Sequence, residues 1–243
     1  MTIAWRLENV RVVRGGQEIV HSVSLEGIAG SWFGLLGANG SGKTTLLRAL
    51  AGRLDLIGGN CWLGDQMLPD RLARVRAVGF APPSDLLPAR LRVREALALL
   101  CPDPSLLAAR LGPMGVALGI EALSEAWIGA CSAGQRQRVA IAAGFAGGHD
   151  CVVLDEPFNW LDPVAVFDLK RALRERVATG LTLITALHDL ITLVDCCDEG
   201  AMMAEGRVVR RLSSMDLERG RADPLNFEER LIGWLREGAL VGG

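Results

Sequence analysis

The 243-residue sequence predicts an α/β fold: a mainly parallel sheet, an N-terminal antiparallel β subdomain ahead of it, and an inserted helical subdomain. Three observations carry that reading. Short apolar runs alternate with helical patterns, and strand–helix–strand order of this kind builds a parallel sheet covered on both faces. The opening residues instead show two strand-like runs meeting at Gly15-Gly16. Residues from about Ser84 to Gly129 carry several prolines and Leu/Ala-rich helical stretches without a strand signal.

Leu7 to Val13 and Ile19 to Leu25 alternate as strands, and the glycine pair between them suits a hairpin. Trp32-Phe33-Gly34-Leu35-Leu36 is an apolar run with the character of a buried strand, followed by a helix from Lys43 to Ala51. A short strand is expected at Val78-Gly79-Phe80, and Val93 to Leu100 has a helical pattern. Cys151-Val152-Val153-Leu154 and Leu181-Thr182-Leu183-Ile184-Thr185 are two further buried strands. Between them Val164 to Ala178 forms a helix, with Pro163 suited to its first turn. Near the end, Phe227, Leu231, Trp234 and Leu235 share one face of a helix that begins near Pro224.

Composition narrows the function. Half the residues are hydrophobic and 22% are charged, a balance that argues against disorder. A net charge of −2 gives no field that would attract nucleic acid or anionic lipid. No run approaches the roughly 18 apolar residues of a membrane helix. The longest candidate, Leu181 to Val194, is interrupted by His188 and Asp189. Met1 to Arg6 shows no basic segment leading into an apolar one, so no secretory signal is expected. The six cysteines form no CxxC pair and the three histidines are scattered, so buried thiols are expected in place of a zinc cluster.

Gly37-Ala38-Asn39-Gly40-Ser41-Gly42-Lys43-Thr44 matches G-x-x-x-x-G-K-[ST] between a strand and a helix. Glycines let successive N–H groups converge on one concavity, and the helix N-terminus adds partial positive charge there. Lys43 is expected to reach the β- and γ-phosphates of a nucleotide and the Thr44 hydroxyl to ligate Mg²⁺, with Thr45 beside it. The core is therefore expected to be that of a P-loop NTPase.

The strand Cys151 to Leu154 ends in Asp155-Glu156-Pro157. In an open α/β sheet, acids at a strand's C-terminal end face the ligand crevice. Asp155 is expected to hold Mg²⁺, directly or through water, and Glu156 to polarise the attacking water.

Cys131-Ser132-Ala133-Gly134-Gln135-Arg136-Gln137-Arg138-Val139 resembles the LSGGQ signature of ATP-binding cassette (ABC) ATPases. Asn159-Trp160-Leu161-Asp162-Pro163 is similar to that family's D-loop, and His188-Asp189 to its switch histidine. The likeness runs from about Leu7 through Arg207. It implies an ATP- and Mg²⁺-dependent ATPase in which two cassettes, as homodimer or heterodimer, clasp ATP between them. On that pattern Ser132, Gly134 and Gln135 would contact the nucleotide held by the other subunit, with Gln135 beginning a helix. Asp162 would communicate across the dimer, and His188 would sense the γ-phosphate and position water with Glu156. It divides the chain into an N-terminal β subdomain with the phosphate-loop part of the core (1–83), a helical subdomain (84–130), the signature, carboxylate and switch part of the core (131–212) and a helical tail (213–243).

Three positions depart from the family pattern. Arg14 stands where an aromatic usually stacks on adenine, and an arginine plane recovers part of that stacking. Val78-Gly79-Phe80-Ala81-Pro82-Pro83 sets Pro83 where a glutamine amide is expected, and Gln66 lies too early to replace it. Ala133 replaces a signature glycine, at a cost of about 1–2 kcal/mol if the position needs a positive φ. Slow hydrolysis is the expected result.

The resemblance further implies a separate transmembrane permease partner and a place on the cytoplasmic face of the membrane, with no role for nucleic acid. Leu91-Arg92-Val93-Arg94-Glu95-Ala96-Leu97 resembles a stretch of export-type members, as does Cys197 through Val209, so export is expected. The alternative is a hydrolysis-weak regulatory cassette paired with an active one. A guanine-reading N-K-x-D is excluded, because Asn159-Trp160-Leu161-Asp162 lacks the lysine.

Overall fold

The computed structural model describes residues 2–240, with side chains described from Thr2 as far as Trp234. Strands β1 (Ile3–Arg14) and β2 (Gln17–Ile28) form the N-terminal hairpin, followed by β3 (Trp32–Leu36) and α1 (Lys43–Leu50). Next come β4 (Gly58–Leu63), β5 (Gln66–Met67), α2 (Arg71–Ala77) and β6 (Gly79–Phe80). Helices α3 (Val93–Ala98), α4 (Pro104–Leu111), α5 (Pro113–Ala117) and α6 (Ile120–Leu123) occupy the proline-punctuated stretch. The chain continues with α7 (Ala133–Ala146), β7 (Cys151–Asp155), α8 (Pro163–Ala178), β8 (Thr182–Leu187) and α9 (Leu190–Cys196). A hairpin, β9 (Glu199–Ala204) and β10 (Arg207–Leu212), precedes α10 (Ser214–Ala222) and α11 (Pro224–Leu240).

Two sheets result. The first has the order β2-β1-β4-β5 and is antiparallel throughout. The second has the order β10-β9-β3-β8-β7-β6, and all its neighbours are parallel except β10 and β9. The two-residue period of a strand explains how this second sheet is covered. Trp32, Leu36, Val152, Leu154, Leu183 and Leu187 point into a core completed by the helices. Their alternates Phe33, Leu35, Cys151, Val153, Ile184 and Ala186 point into a second core shared with the antiparallel sheet and α1. Burial on both faces accounts for the unbroken apolar runs. All six cysteines are buried thiols.

Local chemistry sets the helix starts. Asp162 caps α8 by accepting from the Ala165 N–H at 2.9 Å, with Pro163 in the first turn. Ser132 caps α7 in a reciprocal box: its hydroxyl accepts from Gln135 N–H, and the Gln135 Oε1 accepts from Ser132 N–H at 2.8 Å. The helix thus begins at Ala133, not at Gln135 as the sequence suggested. Ala133 takes helical geometry without a positive φ, so its Cβ brings none of the feared strain.

β4, β5, α2, α9, the β9–β10 hairpin and α10 are not among the elements the sequence predicts. The pair β4–β5 is short and opens on Gly58-Gly59-Asn60, and α2 is arginine-rich, so neither shows a strong apolar period. In α11, Phe227 and Leu231 are buried and Trp234 is half-buried, on the face their spacing predicts. The side chain of Leu235 lies outside the described residues. A Cβ on Gly220 would sit 2.7 Å from the Phe227 ring, so α10 and α11 meet at a glycine notch.

Candidate functional site

Residues 37–44 link the end of β3 to the start of α1. Gly42 caps α1 with a φ of +99°, a conformation that glycine alone adopts freely. Gly37 is fixed by proximity, because a Cβ there would collide with the Met203 carbonyl oxygen of β9. The loop is thus pressed against the sheet it leaves.

Lys43 is buried, and its Nζ donates to the carbonyls of Gly37 at 2.6 Å and Ala38 at 3.1 Å. Burial pushes its pKa down, while the carboxylates of Glu156 and Asp155 pull it back up. Among the described residues no carboxylate lies within ion-pair distance of this ammonium. The Ser41 Oγ is also buried and without a protein partner. A buried cation and an orphaned hydroxyl in one glycine loop fit the phosphate tail of a nucleotide.

Across the loop, Thr44 Oγ1 donates to Asp155 Oδ1 at 3.0 Å. Burial raises the Asp155 pKa, and the Thr44 hydrogen bond and Arg48 partly offset that rise. A hydroxyl and a carboxylate in contact form a hard oxygen set suited to Mg²⁺, which takes few protein ligands and completes its shell from phosphates and water. Glu156, just past β7, has a φ of +48°. Its N–H donates to Ala186 O of β8 at 3.2 Å, and its Oε2 accepts from Asn159 Nδ2 at 2.8 Å.

Glu156 borders two clefts. One, of about 490 Å³, runs along Asn39 to Thr45 with Arg14 at its edge, so the hairpin turn does bring Arg14 to the phosphate loop. The other, of about 280 Å³, has Thr44, Asp155, Pro83, Gln137 and Trp160 on its walls. Pro83 therefore shares a cavity with the carboxylates and brings no amide to it. His188 lies in a third cleft, of about 840 Å³, which it shares with Gly37, Ala38 and Asn39. It adjoins the loop but not the cavity of Asp155.

Ser132, Gly134, Gln135 and Asp162 line none of these three clefts. Asp162 instead pairs with Arg138 at 3.1 Å. Gly134 abuts the Trp160 carbonyl, which would lie 2.7 Å from a Cβ. Asn159 carries no functional signal in the sequence, since its i, i+3 relation to Glu156 becomes a contact only in the turn after β7.

The doubly covered sheet and its glycine loop, with a lysine and a hydroxyl beside strand-end acids, define the class as a P-loop nucleoside triphosphatase. The family model described as ABC transporter matches residues 20–159. The chain is 33% identical over 213 residues to a sulfate/thiosulfate import ATP-binding protein, CysA 2, of Agrobacterium fabrum, covering 85% of this chain and 62% of that protein. It is 29% identical over 210 residues to the lipopolysaccharide export system ATP-binding protein LptB of Escherichia coli K12, covering 83% and 87%. A solved ATP-binding subunit of an ABC transporter superposes with a TM-score of 0.79 at 24% identity, over 90% of this chain and 93% of that one. The chain belongs to the ABC transporter family, and its fold is that of the family's ATPase cassette.

Proposed function

We propose that this chain hydrolyses ATP with Mg²⁺ to drive export through a separate membrane permease, working as one of a pair of cassettes on the cytoplasmic face. The observation that carries the proposal is the Thr44–Asp155 contact, 3.0 Å long, beside a Glu156 carboxylate tied to Asn159. Lys43 and the N–H groups from Asn39 to Thr45 receive the phosphates, and Arg14 lies against the base. Thr44 and Asp155 hold Mg²⁺, which when bound neutralises charge on the β- and γ-phosphate oxygens. Glu156 accepts a proton from the attacking water, and Asn159 fixes the carboxylate oxygen it donates to.

The second cassette follows from which residues lack a place in this chain's own clefts. Ser132, Gly134, Gln135 and Asp162 border neither the loop cleft nor the acid cavity, so their nucleotide contacts require another copy or a paralogue. Among the described residues, no helix is long and apolar enough to cross a membrane, in keeping with a separate permease. Export rests on the segment Leu91–Leu97 and on the likeness to LptB, against the import protein CysA 2. The four-part division at residues 83, 130 and 212 is part of the same reading.

Substituting Glu156→Gln tests the chemistry: ATP binding should persist and turnover should vanish. Unchanged turnover would remove Glu156 from the mechanism. A second reading, a hydrolysis-weak regulatory cassette, is favoured by Pro83 on the wall of the acid cavity. It predicts that the turnover of a mixed pair survives Glu156→Gln in this chain, because the partner cassette carries the chemistry.

A further inference from the structure

Helix α9 begins two residues after His188, and its ends are held by different parts of the molecule. At its start, Asp189 Oδ1 accepts from Thr192 N–H at 2.7 Å. From α8, Lys170 donates to Thr192 Oγ1 at 2.7 Å and Arg174 donates to Cys196 O at 2.9 Å. The remaining hold comes from outside the nucleotide-binding sheet. Arg221, in the last turn of α10, donates through Nε to Val194 O at 2.7 Å and through Nη2 to Cys197 O at 2.8 Å.

Those two carbonyls lie at the C-terminal end of α9, where backbone acceptors lack helical partners and the dipole favours a cation. A guanidinium satisfies both at once because its fork is planar and rigid, whereas an ammonium meets them singly. The cleft of about 840 Å³ lined by His188 and Gly37 is lined by Arg221 and Leu231 as well. The C-terminal helix pair thus meets the helix that follows His188 and shares that residue's cleft.

We propose that Arg221 is a positioning residue for His188: by clamping the exit of α9 it fixes where the preceding histidine stands relative to the phosphate loop. This rests on the role given to His188 above. Arg221 touches neither the phosphate loop nor the acids through a hydrogen bond. Its influence on turnover therefore runs through α9.

The test is steady-state ATP hydrolysis by the full chain, with Arg221→Gln made in the native background and in His188→Ala. In the native background kcat should fall about twofold to fivefold, the range a cation at a helix C-terminus is worth, with KM for ATP steady. Arg221→Lys should recover part of the loss, and it also carries the test if the glutamine variant fails to fold. In His188→Ala the same substitution should change nothing further. An equal fall in both backgrounds, a rise in KM alone, or no fall in the native background would overturn the inference. Full turnover by His188→Ala, or none by the unmodified chain, would overturn instead the reading on which it rests.

Discussion

Asn159 Nδ2 donates to Glu156 Oε2 at 2.8 Å, across the turn that closes β7. One oxygen of the carboxylate is thereby tied down on the wall between the loop cleft and the acid cavity. Replacing Asn159 with Ala should lower kcat about 10- to 150-fold, as for a hydrogen bond to a charged group, and leave ATP affinity near its native value. Rates across a range of ATP concentrations check this.

Gly134→Ala should destabilise the chain. The added carbon would meet the Trp160 carbonyl at 2.7 Å, which is backbone and yields little. Overpacking of this kind costs about 1–3 kcal/mol, so thermal unfolding should move down by about 2–10 °C. Ala133→Gly, which restores the usual signature glycine, should leave ATPase unchanged and lower stability by at most about 1 kcal/mol, because the native φ there suits alanine.

Pro83→Gln should raise turnover. Pro83 lines the cavity of Asp155 and Glu156, and its φ of −55° with ψ of 133° is open to any residue. An added amide at such a site is worth about tenfold or more in rate. Single-turnover hydrolysis separates this gain from any change in product release.

Asp155→Asn should stabilise the nucleotide-free chain at neutral pH while abolishing Mg²⁺-dependent hydrolysis. Burial raises the Asp155 pKa in the folded state. Folding therefore favours the protonated acid, and this group's stabilising contribution, complete below the ordinary carboxylate range, is lost as pH rises through the raised value. The advantage of the Asn variant should accordingly be largest near pH 7 and shrink on acidification, as read by unfolding midpoints at a series of pH values.

Sequence alone went far where periodicity and motif coincide. Trp32–Leu36 and Cys151–Leu154 announced themselves by unbroken apolarity, because both faces of their sheet are covered. The loop at Gly37–Thr44 and the acids at 155 and 156 stood in motifs whose spacing carries the chemistry. Short or polar elements stayed hidden: β5 has two residues and α2 three arginines, and both depend on tertiary neighbours for their definition. Contacts between distant segments were equally illegible. Nothing in the sequence ties Arg221 to the carbonyls of Val194 and Cys197, or Gly134 to Trp160. The family resemblance assigns Ser132 and Gln135 to a ligand, and within this chain they serve each other as a helix cap.

The six buried thiols equip the chain with an internal gauge of breathing. Cys61 and Cys151 sit in the core shared with the antiparallel sheet, and burial raises them to about 11 and about 12 respectively, so neither is reactive while the fold is shut. Cys131, Cys196 and Cys197 sit in the helical core on the other side. An alkylating reagent applied to the native chain would then mark sulfurs only as each compartment opens, and the order of labelling, read by mass, would reveal which half of the molecule loosens first.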